Sequence, residues 1–152
     1  MMNILLLALA LINLPHPTGH ARVGVMNLKA GDEPLIVWYP AAAAGPQAAP
    51  YVTAAEASAL AEAGYYGQKP ELIRGWSDVV TEATTGATLR PGAMPLVIFL
   101  PGQDVRAFQY SVYAAELASR GSLVAVVDYY AARPPGITEM DAEVTGMATA
   151  AA

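Results

Sequence analysis

The chain has 152 residues, 55% of them hydrophobic and only 14% charged, with a formal net charge of −5 from 13 acidic and 8 basic side chains. That length supports one domain with a proper core and is short for two, while the apolar share, much of it alanine, excludes disorder over most of the chain. The basic residues stand singly from Arg22 to Arg133 and form no phosphate-binding stripe, so no nucleic-acid partner is expected.

Cysteine is absent, which removes any disulfide framework and any thiolate metal site. The two histidines, His16 and His20, lie four apart among Pro15, Pro17 and Gly19, residues that oppose the helix such a pair would need to share a metal. They read as exposed loop residues, and neither a metal nor an organic cofactor is expected.

Residues 4–12 form an unbroken apolar run, too short for a membrane-spanning helix of ~20 residues. Its length fits the apolar region of a secretory signal, and Gly19-His20-Ala21 offers small residues where a signal peptidase reads, although MMN carries no lysine or arginine. Residues 1–20 are therefore read as a signal-like segment and linker, with secretion or a cell-envelope location expected. A buried apolar helix in a cytoplasmic chain, or the tail of a truncated membrane segment, is the alternative.

Beyond it, ARVGVMNL (21–28), the polar turn KAGDE and PLIVWYP (34–40) predict a β-hairpin closed by Pro40. The next stretch, AAAAGPQAAPY, has loop composition. In TAAEASALAEAG, Thr53 predicts an N-cap, Glu56 its capping-box partner and Gly64 the stop of a helix. Pro70 opens a short helix that Gly75 interrupts, and TGATLRPGAMP reads as loop.

Residues 95–100, PLVIFL, carry no polar alternation and predict a strand buried on both faces that Pro101-Gly102 stops abruptly. A loop and a helix with Phe108, Val112, Ala115 and Leu117 on one side follow, ended by Gly121; SLVAVVDYY (122–130) is a second continuous apolar strand. Strand, helix and strand in that order make a parallel βαβ unit. Ligand sites in such sheets lie beyond the carboxyl ends of the strands, the side that holds Gln103 and residues 128–133.

LPHPTG leading into a strand, IVWYP after a polar turn, APY in the following loop, VIFLPG and YSVYAAELASRGSLVAVVDY together resemble bacterial α/β-hydrolases of the platelet-activating-factor acetylhydrolase type. The resemblance runs from about Leu14 to about Arg133. It implies an α/β fold, a partial α/β-hydrolase in which an N-terminal β-hairpin precedes a parallel βαβ unit with flanking helices, so that residues 21–152 form an incomplete α/β-hydrolase domain. It further implies a serine ester hydrolase acting on small acyl esters or lipids, with weak membrane or lipid contact. In that family the backbone N–H after the glycine of this loop helps form the oxyanion hole, which assigns an oxyanion loop to Gly102 and Gln103. Leu100 departs from the family's usual serine. Asp128 resembles the family's strand-terminal aspartate, expected to fix the following loop.

The G-x-S-x-G elbow that carries the nucleophile in this fold is not found. Gly75-Trp76-Ser77-Asp78-Val79 comes nearest, but Val79 crowds the turn and the stretch precedes the oxyanion strand. Ser77 reads as a loop serine or helix cap, and Ser58, Ser111, Ser119 and Ser122 as hydroxyls in or beside helices. No acid or base stands where the family has them. Glu139, Asp141 and Glu143 read as an amphipathic helical start. The expectation is the N-terminal part of a hydrolase with no catalytic triad in this chain, inactive alone. A noncatalytic α/β module that depends on a partner chain is the alternative, and a nucleotide-dependent enzyme is disfavoured because neither G-x-G-x-x-G nor a P-loop lysine follows the strand.

Overall fold

The computed structural model describes residues 14–102 and 105–129. Among these residues seven strands form one sheet: β1 (Arg22–Ala30), β2 (Glu33–Ala43), β3 (Gln47–Pro50), β4 (Val80–Thr85), β5 (Thr88–Leu89), β6 (Leu96–Phe99) and β7 (Leu123–Val127). Their spatial order is β3-β4-β1-β2-β7-β6, with the short β5 pairing the far end of β2. The helices are α1 (Ala54–Glu62), α2 (Pro70–Arg74) and α3 (Ser111–Ser119).

The predicted hairpin forms with Ala30 opposite Glu33, leaving Gly31-Asp32 as a two-residue turn. Gly31 has φ 63°, the positive value that such turns require at their first position. The βαβ unit is also as expected: β6 and β7 pair in parallel from Leu96 opposite Leu123 to Phe99 opposite Val126, with α3 between them in the chain. β7 then pairs antiparallel with β2, Val127 opposite Leu35.

Thr53 caps α1, its Oγ1 accepting from the N–H of Glu56 at 3.2 Å, and Gly64 turns the chain away with φ 66°. Glu56 does not close a capping box; its carboxylate is engaged by Arg106 instead. Three stretches assigned to loop are strands, among them Thr88–Leu89 of TGATLRPGAMP, which is β5 and pairs antiparallel with β2. β2 runs past Pro40 to Ala43, and QAAP becomes β3, antiparallel to β4, which is itself parallel to β1. The polar alternation of β4 explains why it escapes a hydrophobic pattern: its inward positions are Thr81 and Ala83, and Thr81 Oγ1 donates to the carbonyl of Ala49 at 3.0 Å.

The main core lies between the sheet and α3, where Val23, Val25, Trp38, Ala83, Val124 and Val126 meet Ala114, Ala115 and Ala118. Alanine on the helix lets its axis approach the sheet closely. A second cluster under α1 and α2 gathers Val52, Leu60, Tyr65, Ile73 and Phe108. Within it, Phe108 lies edge-on to Tyr51 at 5.1 Å and tilted against Trp76 at 6.0 Å.

The strand at 95–100 is not buried on both faces. Val97 and Phe99 pack toward α3, but Leu96 and Ile98 on the other face remain 57% and 58% exposed, and Leu100 beyond them 65%. β6 is an edge strand, and among the described residues nothing covers that face of it. No helix among the described residues is long and apolar enough to cross a membrane.

Candidate functional site

The register brings the carboxyl ends of β1, β6 and β7 to one rim of the sheet. Leu28 of β1 lies opposite Leu35, which lies opposite Val127, and the N–H of Asp128 donates to the carbonyl of Pro34 at 2.8 Å. Gly102 follows β6 at the same rim. It is exposed, its carbonyl accepts from Val105 N–H at 3.2 Å, and a Cβ built on it meets no atom within 4 Å. Packing within the described chain therefore does not demand glycine there. Gln103, the other residue assigned to the oxyanion loop, lies outside the described residues, as do Glu139, Asp141 and Glu143.

Arg106 organises the rim. It starts the short 3₁₀ turn Ala107–Tyr110, where its backbone N–H donates to Gln109 Oε1 at 2.8 Å, an oxygen that also accepts from the Tyr65 hydroxyl at 3.0 Å. Its buried side chain reaches α1, with Nη2 2.8 Å from Glu56 Oε1, and faces the end of β7, with Nε 3.9 Å from Asp128 Oδ1. One guanidinium thus faces two carboxylates. Burial pushes the Glu56 carboxyl above the usual range, the attraction and hydrogen bond of Arg106 oppose this, and repulsion from Asp128 adds to it. The Asp128 carboxylate faces Arg106; the loop it is expected to fix lies outside the described residues.

Beneath these residues lies a cavity of about 1130 Å³, bordered by Arg106, Glu56 and Asp128 and walled largely by apolar side chains. Trp38 and Ser111 also line it, both buried, and among the described residues neither Trp38 Nε1 nor Ser111 Oγ has a hydrogen-bond partner.

The remaining candidates lie elsewhere. Ser77 Oγ donates to the carbonyl of Arg74 at 2.9 Å, closing a turn beside α2. Ser119 Oγ donates to the Glu116 carbonyl at 2.7 Å and accepts from Gly19 N–H at 3.1 Å, binding the N-terminal segment to α3. His16 and His20 are exposed as expected, and His16 Nδ1 sits 2.9 Å from Glu82 at the opposite end of the sheet from Asp128. Among the described residues no cluster of three or more metal-ligating side chains occurs. Sequence reading missed Arg106, Trp38 and the buried environment of Ser111. Only Arg106 carried a signal, as a lone basic residue just after a strand that leads to the rim.

No protein-family model matches the chain, and no curated protein does. Among solved structures, the ferulic acid esterase from Streptomyces cinnamoneus is similar at a TM-score of 0.62 and 28% identity. The match covers 88% of this chain and 42% of the esterase, so the chain spans less than half of that protein's length. The mixed sheet with its flanking helices is a partial α/β-hydrolase-type fold of the kind found in esterases. The likeness does not reach the narrower platelet-activating-factor acetylhydrolase type.

Proposed function

We propose that the chain is the N-terminal part of a serine carboxylic-ester hydrolase, with Gly102 and Gln103 as its oxyanion loop. The observation that carries this reading is the similarity to an esterase across 88% of the chain. The open surroundings of Gly102 support it, since a loop that receives a tetrahedral intermediate needs its backbone free to approach the substrate. In the whole enzyme the N–H after Gly102 would stabilise the negative oxygen formed when a serine outside this chain attacks the ester carbonyl. The substrates proposed are short acyl esters, acetylated phospholipid analogues among them. Arg106, tied to Glu56 and facing Asp128, would hold the far end of the loop.

The test is hydrolysis of p-nitrophenyl acetate by the purified chain, with fluorophosphonate labelling of the same sample. Neither turnover nor label is expected. A labelled serine that accounts for turnover would overturn the assignment of the nucleophile to another part of the enzyme. The exposed row Leu96, Ile98 and Leu100 favours a second reading, a noncatalytic module that pairs with another chain through β6. Light scattering over a range of concentrations, with and without a candidate partner, tests it.

A further inference from the structure

The residues just ahead of β1 are fastened to α3 and to the sheet. Thr18 donates from its N–H and from its hydroxyl to the two carboxylate oxygens of Glu116, each at 2.6 Å, and the hydroxyl accepts from Arg120 Nη2 at 2.5 Å. Gly19 N–H donates to Ser119 Oγ at 3.1 Å, and Ala21 N–H to the Ser119 carbonyl at 2.9 Å. Ser119 is the last residue of α3, so its carbonyl has no partner within the helix, and Ala21 supplies one. Further back, His16 Nδ1 meets Glu82 of β4 at 2.9 Å. One short segment thus ties the end of α3 to β4 and to the start of β1.

That segment contains Gly19-His20-Ala21, whose small residues stand where a signal peptidase reads. Packing gives the glycine a cause of its own. A Cβ on Gly19 would stand 2.3 Å from both the carbonyl carbon and Oγ of Ser119, so only glycine lets the two backbones approach this closely. A cut between Ala21 and Arg22 would strip all of these contacts from the domain, whereas a cut anywhere before His16 would strip none.

We infer that His16–Ala21 is a lasting part of the folded domain, a cap on the C-terminal end of α3, and that any proteolytic removal of the apolar run 4–12 cuts ahead of His16 rather than at Ala21. Neither Gly102 nor the cluster at Arg106 takes part, so the inference stands apart from the reading of the chain as part of an ester hydrolase.

The full chain, tagged at its C-terminus only, is produced in a secreting bacterial host, and the first residue of the folded product is read by mass spectrometry. A product that begins at or before His16 is expected, with the apolar run either removed or kept. A folded, exported product that begins at Arg22 overturns the inference. Hydrogen exchange on the purified full chain tests the cap itself. The amides of Thr18, Gly19 and Ala21 are expected to exchange at least about tenfold more slowly than in a free peptide of residues 14–24. Ser119→Ala should speed Gly19 about fivefold, the worth of one neutral hydrogen bond, while the amides of Val124 and Val126 keep their rates. Glu116→Ala should do the same to Thr18. Free-peptide rates at Thr18, Gly19 and Ala21 in the parent chain overturn the inference whatever the variants do. So does protection that both variants, folded by the Val124 and Val126 amides, leave unchanged.

Discussion

β6 and β7 lie side by side in parallel register and read almost alike, LVIF against LVAVV, yet they occupy different environments. β7 sits between β2 and β6, with Val124 and Val126 fully buried toward α3 and Ala125 and Val127 buried on the other face. Its carboxyl end is fastened as well, through Asp128 N–H to Pro34 and the carboxylate facing Arg106. β6 shares the α3 face but among the described residues has a neighbour on one side only, and Leu96 and Ile98 face outward. The difference teaches that an apolar run reports what a strand can tolerate on its two faces. Whether both faces are covered is decided by position in the sheet, which the run itself does not encode.

The largest effect should come from breaking the fastening at the end of β7. Arg106→Ala removes the cation that stands between Glu56 and Asp128. Removing one partner from a buried ionic cluster costs about 3–5 kcal/mol, and urea denaturation should show a loss of about that size. Arg106→Lys retains the charge but not the fork that spans two carboxylates, so it should recover only part of the loss. A loss under ~1 kcal/mol for Arg106→Ala would show that the rim is held by backbone hydrogen bonds and packing rather than by this cluster.

The comparison is sharpened by the same truncation on each strand. Val126→Ala removes two fully buried carbons and opens a cavity against α3, for a cost of about 2 kcal/mol. Ile98→Ala removes more carbon from a side chain 58% exposed, and should cost less than about 1 kcal/mol, much of it strand propensity. Equal costs at the two positions would mean that the outer face of β6 is covered in solution. Gly19→Ala probes the far side of the α3 layer. A Cβ there would stand 2.3 Å from the backbone of Ser119, so a loss of about 1–3 kcal/mol is expected from overpacking, comparable to that at Val126.

Much of this architecture was legible in the residues, and the limits are physical. Gly31 and Asp32 announced the hairpin, Thr53 and Gly64 bracketed α1, and two apolar runs separated by a helix specified the βαβ unit. β3 and β4 were not legible because their inward positions are filled by Ala49 and by Thr81 and Ala83, side chains too small or too polar to make a period of two visible. The rim was legible only as a direction, the carboxyl ends of the parallel strands. Glu56, Arg106 and Asp128 come together through tertiary packing of α1 on the sheet, and no local pattern links residues 50 and 22 positions apart. Trp38 and Ser111 were hidden for a similar reason, since each reads as an ordinary core or helix residue until the cavity between their elements is seen.

Acid separates the two layers of the comparison most finely, because two glutamates respond to it in opposite directions. Glu116, on α3, accepts from Thr18 Oγ1 and Thr18 N–H, each at 2.6 Å, and from Arg120 Nε at 2.6 Å. The hydrogen bonds from Thr18, then that from Arg120, lower its pKa from 4.5 to about 2. The unfolded chain therefore takes up this proton first as pH falls. The stability that the clasp supplies is complete above about 4.5 and is lost as pH falls toward about 2. Glu56 at the rim has its pKa raised by burial, so folding favours its protonated form and its contribution runs the other way, improving as pH falls through its raised pKa. Glu116→Gln should accordingly flatten the acid limb of a plot of urea midpoint against pH, and Glu56→Gln should steepen it. Identical acid limbs in both variants and the parent chain would show that neither contact persists in solution. A flattened limb in Glu116→Gln alone would place acid sensitivity in the clasp on α3 and leave the fastened end of β7 independent of it.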